Sequence, residues 1–309
     1  MHPHPQTWCG RGRQPISDDL VTGTFTARDP LDGVNGTPVV ANPYHYADND
    51  PLNKTDPLGL RPCDKNLDTL KDFTNNYDGD RDGLNATVNF LGANSNTCLM
   101  SLSTAENGRA TLAIGDPAKA ANVVIVPAAA GQSLQSFPTV SFANTIRNEA
   151  GPSVAAIAYL GYDTPKNHWS APFQKLADNE SSALADLINT YTNKGKHVTV
   201  VGYSYGAQAT SQAFTDGGAR ADDVVLLGPF ISTGSSWSGA KNIWAGTNLN
   251  DPFTTGRGTG KRWISTYGSS GAHAYDSGDA LESTAAIAKG DYQGVICDAA
   301  QPDCRHGLI

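Results

Sequence analysis

Val198-Thr-Val-Val-Gly-Tyr-Ser-Tyr-Gly-Ala207 is an apolar, β-branched run that stops abruptly at Gly202 and then becomes helix-compatible. A run of this kind predicts a buried strand that turns sharply into a helix. Within it, Gly202-Tyr-Ser204-Tyr-Gly206 has the spacing Gly-x-Ser-x-Gly. A serine on such a turn carries strained backbone angles, and the residues two before and two after it must be small for strand and helix to approach. The turn holds Ser204 Oγ clear of the sheet edge, while the following helix aims its amino end at the point where an oxyanion would form. In a chain with 32 glycines the five residues alone would arise easily by chance. The strand before them and the helix after them give the motif its weight.

The same alternation extends outward in both directions. Asn122-Val-Val-Ile-Val-Pro127 and Ser153 to Leu160 read as strands buried on both faces, with a helix over 135–148 between them. Phe173, Leu176, Ala177, Leu184, Leu187, Ile188 and Tyr191 recur at three and four spacings, predicting an amphipathic helix over 172–193 that Gly195 closes. After Ser204 come a helix ending at Gly217-Gly218, strands at Asp223 to Gly228, Asn242 to Ala245 and Arg262 to Thr266, and a helix from Asp279 to Lys289. Upstream, Val88 to Leu91, Cys98 to Leu102 and Ala110 to Ile114 read as antiparallel strands at one sheet edge. Strands alternating with helices require a mostly parallel sheet covered on both faces, so the expected class is α/β. Few residues separate Gly228 from Asp251, which leaves no room for a large lid.

A serine hydroxyl is inert until an imidazole takes its proton and a buried carboxylate orients that imidazole. Asp251 follows the strand near Ile243 to Ala245, and His273 follows the strand at Trp263 to Thr266. Both stand in loops at the carboxyl ends of strands, where ligand sites of α/β sheets form. The other candidates fit less well. His197 lies at the amino end of the Ser204 strand, His168, His2, His4 and His45 precede the serine, and His306 is in the tail. Asp222 and Asp223 begin a strand, and Asp276 and Asp279 lie beyond the histidine. The backbone N–H of Tyr205 is one oxyanion donor. The second is expected from Pro127-Ala-Ala-Ala-Gly-Gln132, with Ala128 first in line because proline has no N–H.

An elbow serine in the middle of such a sheet looks like an α/β-hydrolase. More specifically, Asn107-Gly-Arg-Ala-Thr-Leu-Ala-Ile-Gly-Asp116, Ala121 to Pro127, Tyr159-Leu-Gly-Tyr-Asp-Thr-Pro165, the elbow, Asp251-Pro and Gly271-Ala-His-Ala-Tyr275 together resemble the actinobacterial α/β-hydrolase family known as a domain of unknown function, DUF1023. The resemblance covers about residues 105 to 276 and implies the fold and the set Ser204, Asp251 and His273. The family name carries no substrate. The chain departs from the family in Ala128, where a glycine usually follows the proline, and Asp163 of the Gly-Tyr-Asp wording is read as structural or as part of the cleft rim.

Residues 1–60 differ in character, being dense in Pro, Asn, Asp, Gly and Tyr with little periodicity. Phe25-Thr-Ala-Arg-Asp-Pro30 and Asn42-Pro-Tyr-His-Tyr-Ala-Asp-Asn-Asp-Pro-Leu-Asn-Lys-Thr-Asp-Pro-Leu-Gly-Leu60 resemble the end of an RHS-repeat core, the shell of polymorphic toxin systems. In that family the shell ends at an Asp-Pro-x-Gly motif, here Asp56-Pro-Leu-Gly59. The resemblance implies a turn-rich shell remnant over 1–60 and cargo, the catalytic domain, over 61–309. It also implies export without a Sec signal, for no charged segment followed by an apolar one opens the chain.

With 309 residues the chain can bury a full core. A net charge of −8, with charged residues at only 17% and no Lys/Arg block, argues against nucleic-acid binding. Nothing in the sequence supports contact with membrane lipid, and oligomeric state is not legible. Cys297 and Cys304 flank a turn-rich loop that either closes as a small disulfide or keeps free thiols. Asp78, Asp80 and Asp82 alternate ahead of Gly83 as in a calcium loop, but the twelfth position is Asn89 rather than glutamate; a solvated turn is the competing reading. No other metal and no cofactor is expected. The expected function is a serine esterase working on small or medium carboxylic esters through an acyl-enzyme. The alternatives are an RHS-associated effector cleaving lipids or other acyl bonds, and a non-enzymatic module with a vestigial elbow.

Overall fold

The computed structural model describes residues 18–19, 24–25, 85, 89–92, 96–103, 108–166, 175–176, 178–229, 237–248, 250–252 and 262–308. The chain divides into two compact units, Met1–Pro62 and Cys63–Ile309. In the first, β1 (Asp18–Asp19) pairs antiparallel with β2 (Thr24–Phe25). The RHS-like wording over 42–60 and the aspartates at 78, 80 and 82 lie outside the described residues.

The second unit is built on an eight-stranded sheet. Its strands are β3 (Thr97–Ser103), β4 (Arg109–Ile114), β5 (Asn122–Pro127), β6 (Val154–Leu160), β7 (His197–Tyr203), β8 (Ala221–Leu227), β9 (Ala240–Gly246) and β10 (Arg262–Trp263). Their spatial order is β10-β9-β8-β7-β5-β6-β4-β3. The ladders from β10 through β6 are parallel, and β4 runs antiparallel to both neighbours. Every residue of β6 is buried and so are the middles of β5, β7 and β8, as expected of strands covered on both faces.

Among the described residues, four helices cover the sheet. Helices α1 (Thr139–Ala150) and α4 (Gly278–Ala288) pack together on one face, and α2 (Asp178–Thr192) with α3 (Tyr205–Thr215) on the other. α2 starts later than its apolar spacing suggests, because residues 175 and 176 are not helical. Leu176 instead donates its N–H to Gln212 Oε1 on α3, and its buried side chain joins the core from outside the helix. Residues 89–92 are helical, which corrects the strand expected over 88–91. β10 is shorter than expected: it ends at Trp263, and Ile264, whose N–H still donates to Ala245 O of β9, also bridges to Cys297. Cys297 and Cys304 form a disulfide, and Cys98 is disulfide-bonded as well. No helix among the described residues is long and apolar enough to cross a membrane.

Candidate active site

Parallel strands bring their carboxyl ends to one edge, and the sequence has placed its loops of interest there. Ser204 follows β7 directly and caps α3 with φ 54° and ψ −123°. It is the only non-glycine with positive φ among the described residues, in the region L-residues avoid. The flanking glycines explain how the chain tolerates it. A Cβ on Gly202 would lie 2.6 Å from Ala207 Cα and 2.9 Å from Gly206 O, so this glycine lets strand and helix close on each other. A Cβ on Gly206 would lie 2.7 Å from Pro127 O, so the second glycine admits the loop after β5. Ser204 is 1% exposed, and its Oγ has no hydrogen-bond partner among the described residues. Leaving a buried hydroxyl unsatisfied is costly.

Asp251 and His273 meet. His273 Nδ1 lies 2.6 Å from Asp251 Oδ2, and the carboxylate is fully buried while the imidazole side chain keeps 11% exposure. This contact occupies Nδ1 and leaves Nε2 as the nitrogen for proton exchange with a reacting group. The pair is joined to the elbow through the backbone. Ser204 N–H donates to Leu227 O, and the next residue, Gly228, backs the dyad: a Cβ there would lie 3.0 Å from both Asp251 Oδ2 and His273 Cε1. Tyr203, immediately before the serine, donates its hydroxyl to His273 O at 2.7 Å, and its ring centroid lies 5.2 Å from the imidazole. Burial, with the charges of Asp251 and Asp276, pushes the Tyr203 phenol up to about 12, so it remains a donor at neutral pH.

Sequence reasoning did not single out three of these positions. Tyr275 donates its hydroxyl to Asp251 Oδ2 at 2.7 Å, the same oxygen that faces His273, and accepts from Asn248 N–H at 3.1 Å. Tyr203 fastens the histidine backbone, and Gly228 makes room for the pair. The signal for Tyr275 was its place two residues after a candidate histidine; Gly228 was visible only as the end of a strand at the carboxyl edge.

The oxyanion side needs one correction. Ala128 N–H donates to Tyr159 O at 2.8 Å, extending the β5–β6 ladder by one residue, and so cannot serve a ligand. The next loop residue, Ala129, is buried and its N–H meets no described acceptor, so it replaces Ala128 as the candidate. Ala128 still shapes the site: its carbonyl accepts from the buried Tyr162 hydroxyl at 2.6 Å, and the Tyr162 ring meets the Tyr205 ring edge-on at 5.9 Å. Tyr205 is the first residue of α3, where a backbone N–H has no acceptor within the helix. Asp163 pairs with Arg109 at 2.7 Å, and Arg109 also reaches Glu180 at 3.3 Å, tying β4 to the loop after β6 and to the first turn of α2.

A family model described as alpha/beta hydrolase matches residues 103–255. The strand order, the elbow after β7 and the acid and histidine after later strands agree with it. This is the α/β-hydrolase fold. An uncharacterized protein of Mycobacterium tuberculosis is 34% identical over 136 residues, which are 39% of this chain and 21% of that protein. One of Mycobacterium bovis is 32% identical over 128 residues, covering 40% of this chain and 43% of its own length. The chain thus spans less than half the length of these relatives. Among solved structures, an esterase of Pyrobaculum calidifontis aligns with a TM-score of 0.45 and 14% identity, over 76% of this chain and 95% of its own. A carboxylesterase of Mesorhizobium loti aligns at 0.41 and 16% identity, over 63% and 97% respectively. Among the described residues no group of three or more His, Cys, Asp or Glu side chains is placed to hold a metal ion.

Proposed function

We propose that this α/β-hydrolase chain is a serine esterase that cleaves small or medium carboxylic esters through an acyl-enzyme. The observation carrying the proposal is the 2.6 Å contact of a buried Asp251 carboxylate with His273 Nδ1, beside a strained, buried serine whose hydroxyl has no hydrogen-bond partner among the described residues. In this reading Ser204 Oγ attacks the ester carbonyl carbon while His273 Nε2 takes its proton. Asp251 holds the tautomer and stabilises the imidazolium. The carbonyl electron pair moves to oxygen, which Tyr205 N–H and Ala129 N–H receive. Collapse of that intermediate breaks the bond to the alcohol oxygen, which leaves with the proton from His273. Water, deprotonated by the same imidazole, then adds to the acyl-enzyme and releases the acid and Ser204. The Cys297–Cys304 disulfide supports an oxidising, exported setting.

The test is labelling with a fluorophosphonate, followed by a panel of short and long esters. Wild type takes up one equivalent of label on Ser204 and releases alcohol from short esters; Ser204→Ala does neither. Equal turnover by the two proteins, or labelling at another residue, would remove the proposal.

A further inference from the structure

A cavity of about 260 Å³ opens beside the seam between the elbow and the histidine loop. Its walls include Tyr203 immediately before Ser204, Ala274 and Tyr275 immediately after His273, Phe142 and Thr139 from the first part of α1, and Asp276. Given the esterase reading, chemistry decides which half of the substrate belongs here. The imidazole must hand its proton to the departing oxygen, so the alcohol half lies on the histidine side of the serine. A cavity walled by the two residues that follow His273 is therefore the alcohol side. Its volume is at the small end for ligand pockets and suits a group of few heavy atoms.

The walls have a definite chemical character. Tyr203 spends its hydroxyl on His273 O and Tyr275 spends its own on Asp251, so what both offer the cavity is ring. The Phe142 and Tyr203 rings meet edge-on at 5.9 Å with 65° between planes, and Tyr203 and Tyr275 lie 6.0 Å apart at 60°. Three rings at such angles form a corner rather than a stack. Asp276 is exposed, accepts from Ser270 Oγ at 2.9 Å, and is close enough for its charge to raise the Tyr203 phenol. No lysine or arginine stands among the described lining residues. A lining of aromatic rings with an exposed carboxylate and no cation favours a positively charged group over an anion.

We propose that this cavity binds the alcohol half of the ester and selects alcohols bearing a substituted ammonium group, that is, esters of compact amino alcohols. The proposal rests on the esterase reading and makes it more specific. Aromatic faces favour a quaternary ammonium over its neutral carbon isostere by about tenfold.

The experiment compares kcat/KM for acetylcholine and for 3,3-dimethylbutyl acetate, its uncharged isostere, with phenyl acetate as a general ester. Wild type should favour the cationic ester by about tenfold, and Asp276→Asn and Phe142→Leu should each lower that ratio about threefold. In a separate arm, phenyltrimethylammonium should slow fluorophosphonate labelling of Ser204 in wild type, and less so in Asp276→Asn. Melting curves confirm that both variants fold. A ratio of one or below in wild type, or a ratio that neither substitution moves, overturns the assignment while turnover of phenyl acetate leaves the esterase reading standing. If Ser204 takes no label and no ester turns over, the esterase reading fails first and this assignment falls with it.

Discussion

Gly228→Ala probes whether the room around the dyad is required for activity. Gly228 has φ 55°, where an alanine costs about 1–2 kcal/mol. The added Cβ would lie 2.9 Å from Tyr275 Cε2 and 3.0 Å from Asp251 Oδ2 and His273 Cε1. Ordinary carbon contacts lie near 3.5–4.0 Å, so each neighbour must retreat by roughly 0.5 Å. Catalytic groups tolerate displacements of about that size only with loss of rate, and an error of 1 Å costs about a hundredfold. kcat/KM for phenyl acetate is therefore expected to fall roughly 10- to 100-fold. The backbone cost alone lowers Tm by about 2–8 °C in a domain of this size. Gly218→Ala is the control, since Gly218 has φ 72° with nothing within 4 Å of an added Cβ. It should reproduce the loss of Tm and leave turnover at the wild-type level. If Gly228→Ala turns over ester within twofold of Gly218→Ala, the dyad is not confined as described and the reasoning fails.

Removing the Tyr275 hydroxyl in Tyr275→Phe takes one donor from Asp251 and the acceptor from Asn248 N–H, so kcat should drop about tenfold with little change in KM and stability should fall by about 1–3 kcal/mol; stopped-flow kinetics and denaturant unfolding read the two effects. At the opposite end of the sheet, His197 Nε2 lies 2.8 Å from the buried Asp223, which also accepts from Trp244 and Tyr292. Burial disfavours the imidazolium, but the hydrogen bond and charge of Asp223, with Asp222 beyond it, outweigh burial and raise the His197 pKa above 6.5. The folded state therefore gains stability that is complete below 6.5 and is lost as pH rises through the raised value. The Tm difference between wild type and His197→Gln should be larger at pH 5.5 than at pH 8.5, and a difference that is constant or grows with pH would contradict this. Losing Cys297–Cys304, which closes a loop of sequence separation 7, should lower stability by about 2–3 kcal/mol, read without reductant as a lower Tm of a Cys297→Ser, Cys304→Ser protein, whose further fall with dithiothreitol should be smaller than that of wild type because only the Cys98 disulfide is left to reduce.

The parts of this fold that announced themselves were those governed by local rules. Buried parallel strands are continuous apolar runs, so β5, β6, β7 and β8 stood out, and the elbow was legible from its spacing, Gly202 answering to contacts within ten residues of chain although Gly206 answers to Pro127 far upstream. What stayed hidden depends on partners far away in sequence. Residues 89–92 include only two apolar side chains, Phe90 and Leu91, a pair that suits a strand or a helix equally, and only their surroundings choose between them. Just past β10, Ile264 bridges to Cys297, a partner a long way downstream. Ala128 looked free as the first residue after a proline, yet the β5–β6 ladder runs one residue further and uses its N–H. Asp251 and His273 were legible by order along the chain, whereas Tyr275 is assigned only once the carboxylate it bonds is known in space.

The positive φ of Ser204 has a consequence for how this protein can change over generations. A glycine there would relieve the backbone and make the fold sturdier, yet would delete the hydroxyl. If Ser204 is the proposed nucleophile, random substitution meets its easiest gain in robustness at the residue where chemistry would be lost, and only selection for turnover would keep the serine in its uncomfortable place.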